Sequence, residues 1–183
     1  MDLTYDAAGR RKYLNESENE RFLAEANKLS DAKAAFCLTI YYTGCRISEA
    51  LNLKPSNVEM ESGVVLIRTL KKRDRVVVRR LPIPMNLAEA LAALNGERRN
   101  QRLWTFSRST GWRLIKRVMK NAEIRGPQAS PKGLRHAFGV RSVMNQVPVT
   151  AIRKWMGHSS LETTTIYLDV QDNEQRELIR RTW

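Results

Sequence analysis

The segment Ser130–Val170, SPKGLRHAFGVRSVMNQVPVTAIRKWMGHSSLETTTIYLDV, decides how the rest of the sequence is interpreted. It contains both histidines of the chain, His136 and His158, and a tyrosine, Tyr167, nine residues after the second histidine. A tyrosine nucleophile, an arginine and basic hydrogen-bond donors are the groups needed to attack a phosphodiester without a metal. The segment supplies four such side chains: Lys132, Arg135, His158 and Tyr167.

Length and charge limit the classes of protein to consider. The 183 residues suit one compact domain, and a hydrophobic content of 42% argues against disorder. Lysine and arginine number 32 against 19 acidic residues, which gives a net charge of +13. This charge favours a polyanionic partner, because each cation set against a phosphate releases condensed counterions. Ribosomal and membrane-surface proteins share such a charge, so composition alone leaves them open.

Other features exclude several classes. The two cysteines, Cys37 and Cys45, form no CxxC pair and indicate neither a zinc site nor a disulfide framework. The first residues contain no apolar run typical of a signal peptide, and no stretch approaches 18 apolar residues. We therefore expect a cytoplasmic protein with no bound metal and no membrane contact.

The hydrophobic period predicts a mainly helical domain, preceded by a loose, basic arm over residues 1–13. Ser17 and Glu20 form a capping-box pattern that opens the first helix, which runs to about Lys28. Capping residues, glycines and prolines place the other helices at 32–43, 46–53, 86–95, 109–122, from 131, and 148–157. A final helix, capped by Ser159 or Ser160, is predicted to carry Tyr167.

The period changes between Val58 and Pro84, where β-branched runs predict a small antiparallel sheet. Its strands are expected at Val58–Met60, Val64–Thr69 and Arg75–Leu81, with a polar turn at 71–74 between the last two.

The predicted helix over 109–122 has two stripes at helical spacing. One stripe is apolar: Trp112, Ile115, Met119 and Ala122. The other is basic and contains no acidic residue: Arg113, Lys116, Arg117 and Lys120. A basic stripe is usually a solvated face, but the absence of acidic residues makes a nucleic-acid-facing side at least as plausible.

Cleavage of a phosphodiester by tyrosine has definite requirements. The phenol, with a pKa of about 10, must lose its proton. The non-bridging oxygens need fixed positive donors, for which guanidinium groups are suited, and the departing oxygen needs a proton from a positioned acid. A metal-free site should therefore contain two arginines, a tyrosine and at least one lysine or histidine.

Three segments, TGCRISEAL (43–51), GLRHAFG (133–139) and MGHSSLETTTIYLDV (156–170), together resemble the signature blocks of the tyrosine recombinases, also called the phage integrase family. Each motif is weak alone, but the ordered set is specific, and the resemblance runs from about Leu14 to Val170. It implies a catalytic domain over residues 14–170 with the tyrosine recombinase fold: mainly α with a small three-stranded antiparallel sheet.

The resemblance also implies roles for individual residues. Arg46 and Arg135 would clamp the scissile phosphate, His158 would hydrogen-bond it, and Tyr167 would become joined to the 3′ phosphate. The family has a lysine in the hairpin turn that protonates the 5′ oxygen. By position this is Lys71, with Lys72 as the substitute, since the usual preceding glycine is replaced by Leu70.

Three further residues flank this set. Lys132 stands where the family usually has histidine; we assign it to phosphate binding and leave proton transfer open. Glu49 is expected to orient a neighbouring group, and His136 to support the site structurally. The DNA-binding residues are predicted to be Lys72, Arg73, Arg113, Lys116, Arg117 and Lys120.

The resemblance therefore implies a site-specific DNA recombinase that acts through a 3′-phosphotyrosyl intermediate without metal or ATP. Its expected partners are double-stranded DNA, three further copies of the chain in a tetramer on two DNA sites, and accessory proteins or a partner recombinase. Its expected location is the bacterial cytoplasm, on the nucleoid when DNA is bound. Two alternatives share many features: a catalytically silent DNA-binding relative that assists a partner recombinase, and a relaxing topoisomerase.

The two ends of the chain leave questions open. Larger family members have an N-terminal helical domain that closes around DNA, whereas fimbrial-switch invertases consist of the catalytic domain alone. This chain is similar to the latter in organisation, although a removed N-terminal domain is an open alternative. The tail over residues 171–183 has an amphipathic pattern and packs either on a neighbouring protomer or on its own domain.

Overall fold

The computed structural model describes residues 4–71, 75–94, 101–158, 160–167, 179–180 and 182–183. The strands are β1 (Val58–Glu59), β2 (Val64–Lys71) and β3 (Arg75–Pro82), and they pair antiparallel in the order β1-β2-β3. The helices are α1 (Glu16–Ala26), α2 (Asp31–Thr43), α3 (Ile47–Leu51), α4 (Met85–Ala93), α5 (Arg108–Asn121), α6 (Pro131–Met144), α7 (Val149–Met156) and α8 (Glu162–Thr165). The predicted fold class, mainly α with a three-stranded antiparallel sheet, is confirmed.

The start of α1 differs from the prediction. The N-cap is Asn15, whose side chain accepts a hydrogen bond from the Glu18 backbone (2.9 Å), while the Glu18 carboxylate accepts one from the Asn15 backbone (3.0 Å). The sequence NESENE contains this pattern twice, two residues apart. Burial decides between the two, because Glu18 also binds Arg11 and Gln128 in the folded protein.

The expectation of a loose arm is wrong for residues 4–13. Tyr5 and Tyr13 are both buried, and their hydroxyl groups lie 3.1 Å apart. Tyr5 also forms a β-bridge with Arg11. The segment is polar and basic overall, but it contains two tyrosines. Burial of their rings holds the arm against the helices.

The C-terminal end of α2 packs tightly against α6. Gly44 ends α2 in the left-handed conformation (φ +58°), as predicted. A Cβ at Gly44 would lie 2.5 Å from the ring of Phe138 in α6. The glycine therefore meets two requirements at once, a positive φ and a close approach, and this approach brings the segment after α2 to α6.

The inner face of the hairpin follows a two-residue alternation. Val65, Ile67 and Leu81 point into the core, and Val76 and Val78 point to solvent. The same alternation directs Arg79 inward, opposite Ile67 of β2. The sheet thus places one arginine within the core.

The last helices differ from the prediction at one position that matters for function. Pro131 begins α6, Pro148 precedes α7, and Gly157 ends α7 with φ +69°, all as predicted. Tyr167, however, is not carried on a helix, because α8 ends at Thr165 and Tyr167 lies in the turn after it. In the part of the chain that the structure describes, no helix is long and apolar enough to cross a bilayer.

Candidate active site

Arg135 joins the ends of two helices. Its guanidinium is 9% exposed and donates to the carbonyl oxygens of Gly44 (2.6 Å) and Met156 (2.8 Å). Both carbonyls lie at helix C-termini, where backbone acceptors are left without helical partners and the helix dipole favours a cation. Gly44 precedes Arg46 by two residues, and Met156 precedes His158 by two. One buried arginine therefore brings together segments more than 100 residues apart in sequence.

Burial affects Arg135 itself. It lowers the pKa of the guanidinium to about 10, and the nearby charge of Arg46 acts in the same direction. At this pKa Arg135 remains charged at neutral pH. Two cationic groups thus lie close to each other, an arrangement that an anion between them would stabilise.

Arg46 is oriented by Glu49. The Arg46 backbone N–H donates to one carboxylate oxygen of Glu49 (2.8 Å), and its Nη1 donates to the other (3.0 Å). Glu49 is buried and also accepts from the hydroxyl of Thr69 (2.6 Å). The Arg46 side chain is 47% exposed, so its remaining donors are available for an anion.

The Glu49 carboxylate remains ionised despite its burial. Burial raises the pKa of Glu49. The Arg79 guanidinium, the Thr69 hydroxyl and the Arg46 backbone together lower it by more than burial raises it, so the pKa lies below its ordinary value. Glu49 contacts its neighbour Arg46, and its orienting role in a reaction stays a prediction.

Tyr167 is held between the two histidines. It is 1% exposed, and its hydroxyl group lies 3.1 Å from Nδ1 of His136. The ring of His158 stacks on the tyrosine ring with centroids 6.2 Å apart, and Nδ1 of His158 lies 2.9 Å from Oγ1 of Thr164. A Cβ at Gly139 of α6 would lie 2.5 Å from the tyrosine ring, so the ring packs directly on this helix.

The side chains of Tyr167, His136 and His158 are all neutral at physiological pH. Burial raises the pKa of Tyr167 to about 12, although Arg135 opposes this shift. Burial and the charges of Arg135 and Arg46 lower the pKa of His158 to about 3. Burial and the charge of Lys132 lower that of His136 to about 4. In this state the histidines act as neutral hydrogen-bonding groups, and the phenol keeps its proton.

The structure describes the three predicted site lysines, Lys71, Lys72 and Lys132, to different extents. Lys132 is exposed in the first turn of α6, one turn before Arg135 and His136. The backbone of Lys71 ends β2 opposite Arg75. Lys72 and Arg73 lie outside the described residues, so the choice between Lys71 and Lys72 as the hairpin lysine stays a prediction.

The basic stripe on α5 is partly engaged within the protein. Arg113, Arg117 and Lys120 are exposed, whereas Lys116 is half-buried and its amino group donates to the carbonyl oxygen of Ala129 (2.7 Å). The prediction of the apolar stripe was wrong at Trp112, whose side chain is 47% exposed. The amino group of Lys116 lies over this ring, 5.8 Å from the ring centroid. The buried face of α5 is formed by Gly111, Leu114, Ile115, Val118 and Met119.

Sequence reasoning missed Arg79. Its guanidinium is 3% exposed, and Nη2 lies 2.7 Å from the Glu49 carboxylate and 3.0 Å from the Thr69 hydroxyl, while Nη1 donates to the carbonyl oxygen of Trp155. The strand alternation contained the signal, because Arg79 lies two residues before the inward-facing Leu81.

Across the described residues, no group of three or more His, Cys, Asp or Glu side chains is arranged to hold a metal ion. The chemistry visible at this site is that of arginine, histidine, glutamate and tyrosine side chains.

This mainly helical domain brings three arginines, two histidines and a buried tyrosine together at one junction of helix ends. The phage integrase family profile matches residues 12–174, and the chain belongs to the phage integrase family. The tyrosine recombinase XerA of Thermococcus onnurineus is 34% identical over 171 residues, covering 87% of this chain and 58% of the relative. The chain spans about three fifths of the length of the curated XerA recombinases that it matches.

Solved structures agree with this assignment. The crystal structure of XerA recombinase superposes with a TM-score of 0.79 at 27% identity, covering 93% of this chain and 64% of that one. The XerH site-specific recombinase, solved with its palindromic difH substrate in a post-cleavage complex, gives a TM-score of 0.77 at 23% identity, covering 97% of this chain and 55% of that one. The predicted family and its fold are confirmed.

Proposed function

We propose that this chain cleaves and rejoins DNA strands at specific sites through a covalent link between Tyr167 and the 3′ phosphate. The observation that carries the proposal is the pair of hydrogen bonds from Arg135 to Gly44 and Met156. These bonds join Arg135 to the segments that precede Arg46 and His158, and the Tyr167 ring stacks on the His158 ring. A phosphate at this junction would meet two guanidinium groups and a neutral imidazole.

In the proposed reaction, the Tyr167 phenol loses its proton to solvent water, its oxygen attacks the phosphorus atom, and the bond to the 5′ oxygen breaks. Arg46 and Arg135 neutralise the non-bridging oxygens, and His158 donates a hydrogen bond to one of them. The hairpin lysine, Lys71 or Lys72, gives a proton to the departing oxygen. Rejoining is the reverse: a 5′ hydroxyl attacks the phosphotyrosyl bond, which conserves the energy of the original linkage, so that neither ATP nor a metal is required.

The described conformation is a resting state in this proposal. A buried phenol with a pKa of about 12 is protonated at neutral pH and is a poor nucleophile. Its hydroxyl is bound to His136, away from solvent. Binding of DNA must therefore release Tyr167 from His136 and direct it to the phosphate held by the arginines.

The remaining expectations on partners are part of the same proposal. Double-stranded DNA is the partner that fits a charge of +13 and the exposed cations Arg113, Arg117 and Lys120. XerH, which shares the fold, was solved bound to its DNA substrate. We further propose a tetramer on two DNA sites, to which accessory proteins or a partner recombinase contribute. The exposed Ile179 and the 88% exposed Trp183 support docking of the tail on a neighbouring protomer.

A second candidate is a DNA-binding relative that assists another recombinase without cleaving DNA. The burial of Tyr167 favours it, because the described state presents no nucleophile at the surface. The two candidates predict the same DNA binding but differ in covalent chemistry.

Covalent capture separates the two candidates. The protein is incubated in EDTA with a library of nicked duplexes of random sequence, and adducts that survive denaturation are isolated and sequenced. We expect adducts with enriched sequences, and none with Tyr167→Phe. The matched control is Tyr5→Phe, which also removes a buried tyrosine hydroxyl, the one 3.1 Å from the Tyr13 hydroxyl, and should retain adduct formation. Binding of DNA without any adduct would support the second candidate and contradict the first.

A further inference from the structure

Arg79 connects, from the protein interior, the Glu49 carboxylate that contacts Arg46 and the helix end that precedes His158. It lies in β3, is almost fully buried, and reaches Glu49 and Thr69 through Nη2 and the Trp155 carbonyl oxygen through Nη1. Glu49 is the residue that orients Arg46. Trp155 lies in the last turn of α7, three residues before His158.

The first consequence concerns Arg46. Glu49 carries its charge in the core, and Arg79 is the strongest of the groups that hold its pKa down. Arg79 thereby offsets the carboxylate charge from the buried side. The half-exposed guanidinium of Arg46 needs to give Glu49 only one hydrogen bond, and it keeps its other donors for an incoming phosphate.

The second consequence concerns His158. Gly157, which ends α7 in the left-handed conformation, packs directly on the Arg79 side chain. A Cβ at Gly157 would lie 2.9 Å from Nε and 3.0 Å from Cδ and Cζ of Arg79. The turn that leads into His158 is therefore held both by the hydrogen bond to Trp155 and by this close approach.

The cost of burying Arg79 argues against a purely structural role. Its Nε is buried and has no hydrogen-bond partner among the described residues. A buried ion pair is weak evidence for stability, because a well-packed apolar pair of similar volume is often equally stabilising or better. The planar guanidinium contacts the Glu49 carboxylate and the Thr69 hydroxyl on one side and the Trp155 carbonyl oxygen on the other. A role in positioning accounts for its burial, because these contacts set the distance between Glu49 and the end of α7.

Resting on the function proposed above, we propose that Arg79 is a positioning residue for strand cleavage, which couples the Glu49 carboxylate that orients Arg46 to the helix end that presents His158. It touches no DNA itself. Its effect should therefore appear in the rate of cleavage at saturating DNA and not in DNA affinity.

The test uses Arg79→Met, which keeps an unbranched, flexible side chain as far as the position of Nε and removes the guanidinium charge and donors. The matched control is Arg80→Met, the neighbouring residue on the exposed face of β3, whose ion pair with Glu59 lies at the surface. Both variants lose one positive charge, so their general attraction to DNA changes equally. DNA affinity and the single-turnover rate of adduct formation are measured for wild type and variants on a captured sequence.

We expect Arg79→Met to form the adduct about 100-fold more slowly than wild type, the scale of a small displacement of reacting groups. Arg80→Met should react at the wild-type rate, and both variants should bind DNA equally. Because Arg79→Met leaves the Glu49 charge buried without its main partner, Glu49→Gln/Arg79→Met is made as a second, better-folded variant. It should remain slow, because a neutral amide no longer orients Arg46 as the carboxylate does.

The outcomes separate this inference from the proposed function. If wild type forms the adduct and Arg79→Met reacts like Arg80→Met, the positioning role is wrong and the proposed function stands. If a folded Arg79→Met loses DNA affinity and keeps its single-turnover rate, the role in cleavage is likewise wrong. If wild type forms no adduct at all, the proposed function fails and the role of Arg79 fails with it.

Discussion

The Tyr167 hydroxyl group and Nδ1 of His136 lie 3.1 Å apart in the interior of the protein, on a helix face that Gly139 opens for the tyrosine ring. Sequence reasoning assigned Tyr167 as the nucleophile and His136 as structural support, but it did not connect the two. Their hydrogen bond holds the protonated Tyr167 phenol in a buried position, and this arrangement has measurable consequences.

Gly139→Ala should destabilise the protein by about 1–3 kcal/mol, because the added methyl group overlaps the Tyr167 ring. Alanine is otherwise the better helix former by roughly 1 kcal/mol. The measurement is urea unfolding of the four proteins of a double-mutant cycle with Tyr167→Ala. In the Tyr167→Ala background the same glycine replacement should stabilise the protein. A destabilisation of equal size in both backgrounds would show that the ring is not what the methyl group meets.

Arg135→Lys should lower the free energy of unfolding by about 1–3 kcal/mol, because an ammonium group cannot span the Gly44 and Met156 carbonyls as the guanidinium does. Adduct formation should fall by about 10²–10³-fold, the usual effect of losing one donor to the transition state. The control is Arg141→Lys on the same helix, where a half-buried guanidinium also bridges two acceptors, the Asn19 side chain and the Tyr41 carbonyl oxygen. It should lose similar stability but keep cleavage; equal loss of cleavage in both would point to a folding effect alone.

Lys132→Ala should abolish strand cleavage and leave the free energy of unfolding within about 0.5 kcal/mol of wild type, since the side chain is exposed. Lys33→Ala, at an exposed position of α2, is the matched control because it removes the same charge. Near-normal cleavage by the Lys132 variant would remove this lysine from the proposed site.

The hairpin lysine can be identified with DNA in which sulfur replaces the 5′ bridging oxygen. A thiolate leaves without a proton, because thiols have a pKa of about 8.5. Lys71→Ala should fail on ordinary DNA and recover on the sulfur substrate, while Lys72→Ala should cleave both. The reverse result would assign the role to Lys72, and failure of both variants to recover on sulfur would exclude the acid role for either residue.

The stability of the protein should fall as the pH is lowered from 7 to 5. The pKa of His136 is about 4 in the folded protein, against 6.5 as its ordinary value, so the unfolded chain binds more protons in this range. Stability is therefore fully present above about pH 6.5 and is lost as the pH falls towards 4. For a shift of this size, His136 contributes about 2 kcal/mol to the loss between pH 7 and 5.

The comparison is His136→Asn, whose side chain can still hydrogen-bond Tyr167 but does not titrate. Urea unfolding at the two pH values should show a smaller loss of stability in this variant. Identical pH dependences of wild type and His136→Asn would contradict the buried, neutral state of the imidazole.

Much of the fold could be predicted because its signals are local. Gly44 and Gly157 end helices through a conformation that glycine accepts, and Pro131 begins one through its fixed φ. The hairpin followed from two β-branched runs flanking a polar turn. The candidate catalytic side chains were identified by residue type and order along the chain, which a family resemblance preserves.

Other features were outside the reach of sequence because they depend on contacts between distant residues. The local sequence permits a helix start at either Asn15 or Ser17. The start at Asn15 is favoured because its capping partner, Glu18, also accepts a hydrogen bond from Gln128, which lies 110 residues away in sequence. The burial of Tyr5 and Tyr13 and the inward position of Arg79 likewise depend on what packs against them. Strand alternation indicates that Arg79 shares a face with Leu81, but it does not identify Glu49, Thr69 and Trp155 as the partners of the buried guanidinium.

The sequence by itself thus determined the order of elements, the family and the set of candidate reactive groups, since these depend on local propensity and on residue identity. Only the tertiary structure decided that Arg135 ties the ends of α2 and α7 together, that Arg79 holds Glu49 and the turn before His158, and that Tyr167 rests against His136. The physical reason is that pKa values, ion pairs and orientation arise from burial and from distances between residues that are far apart along the chain.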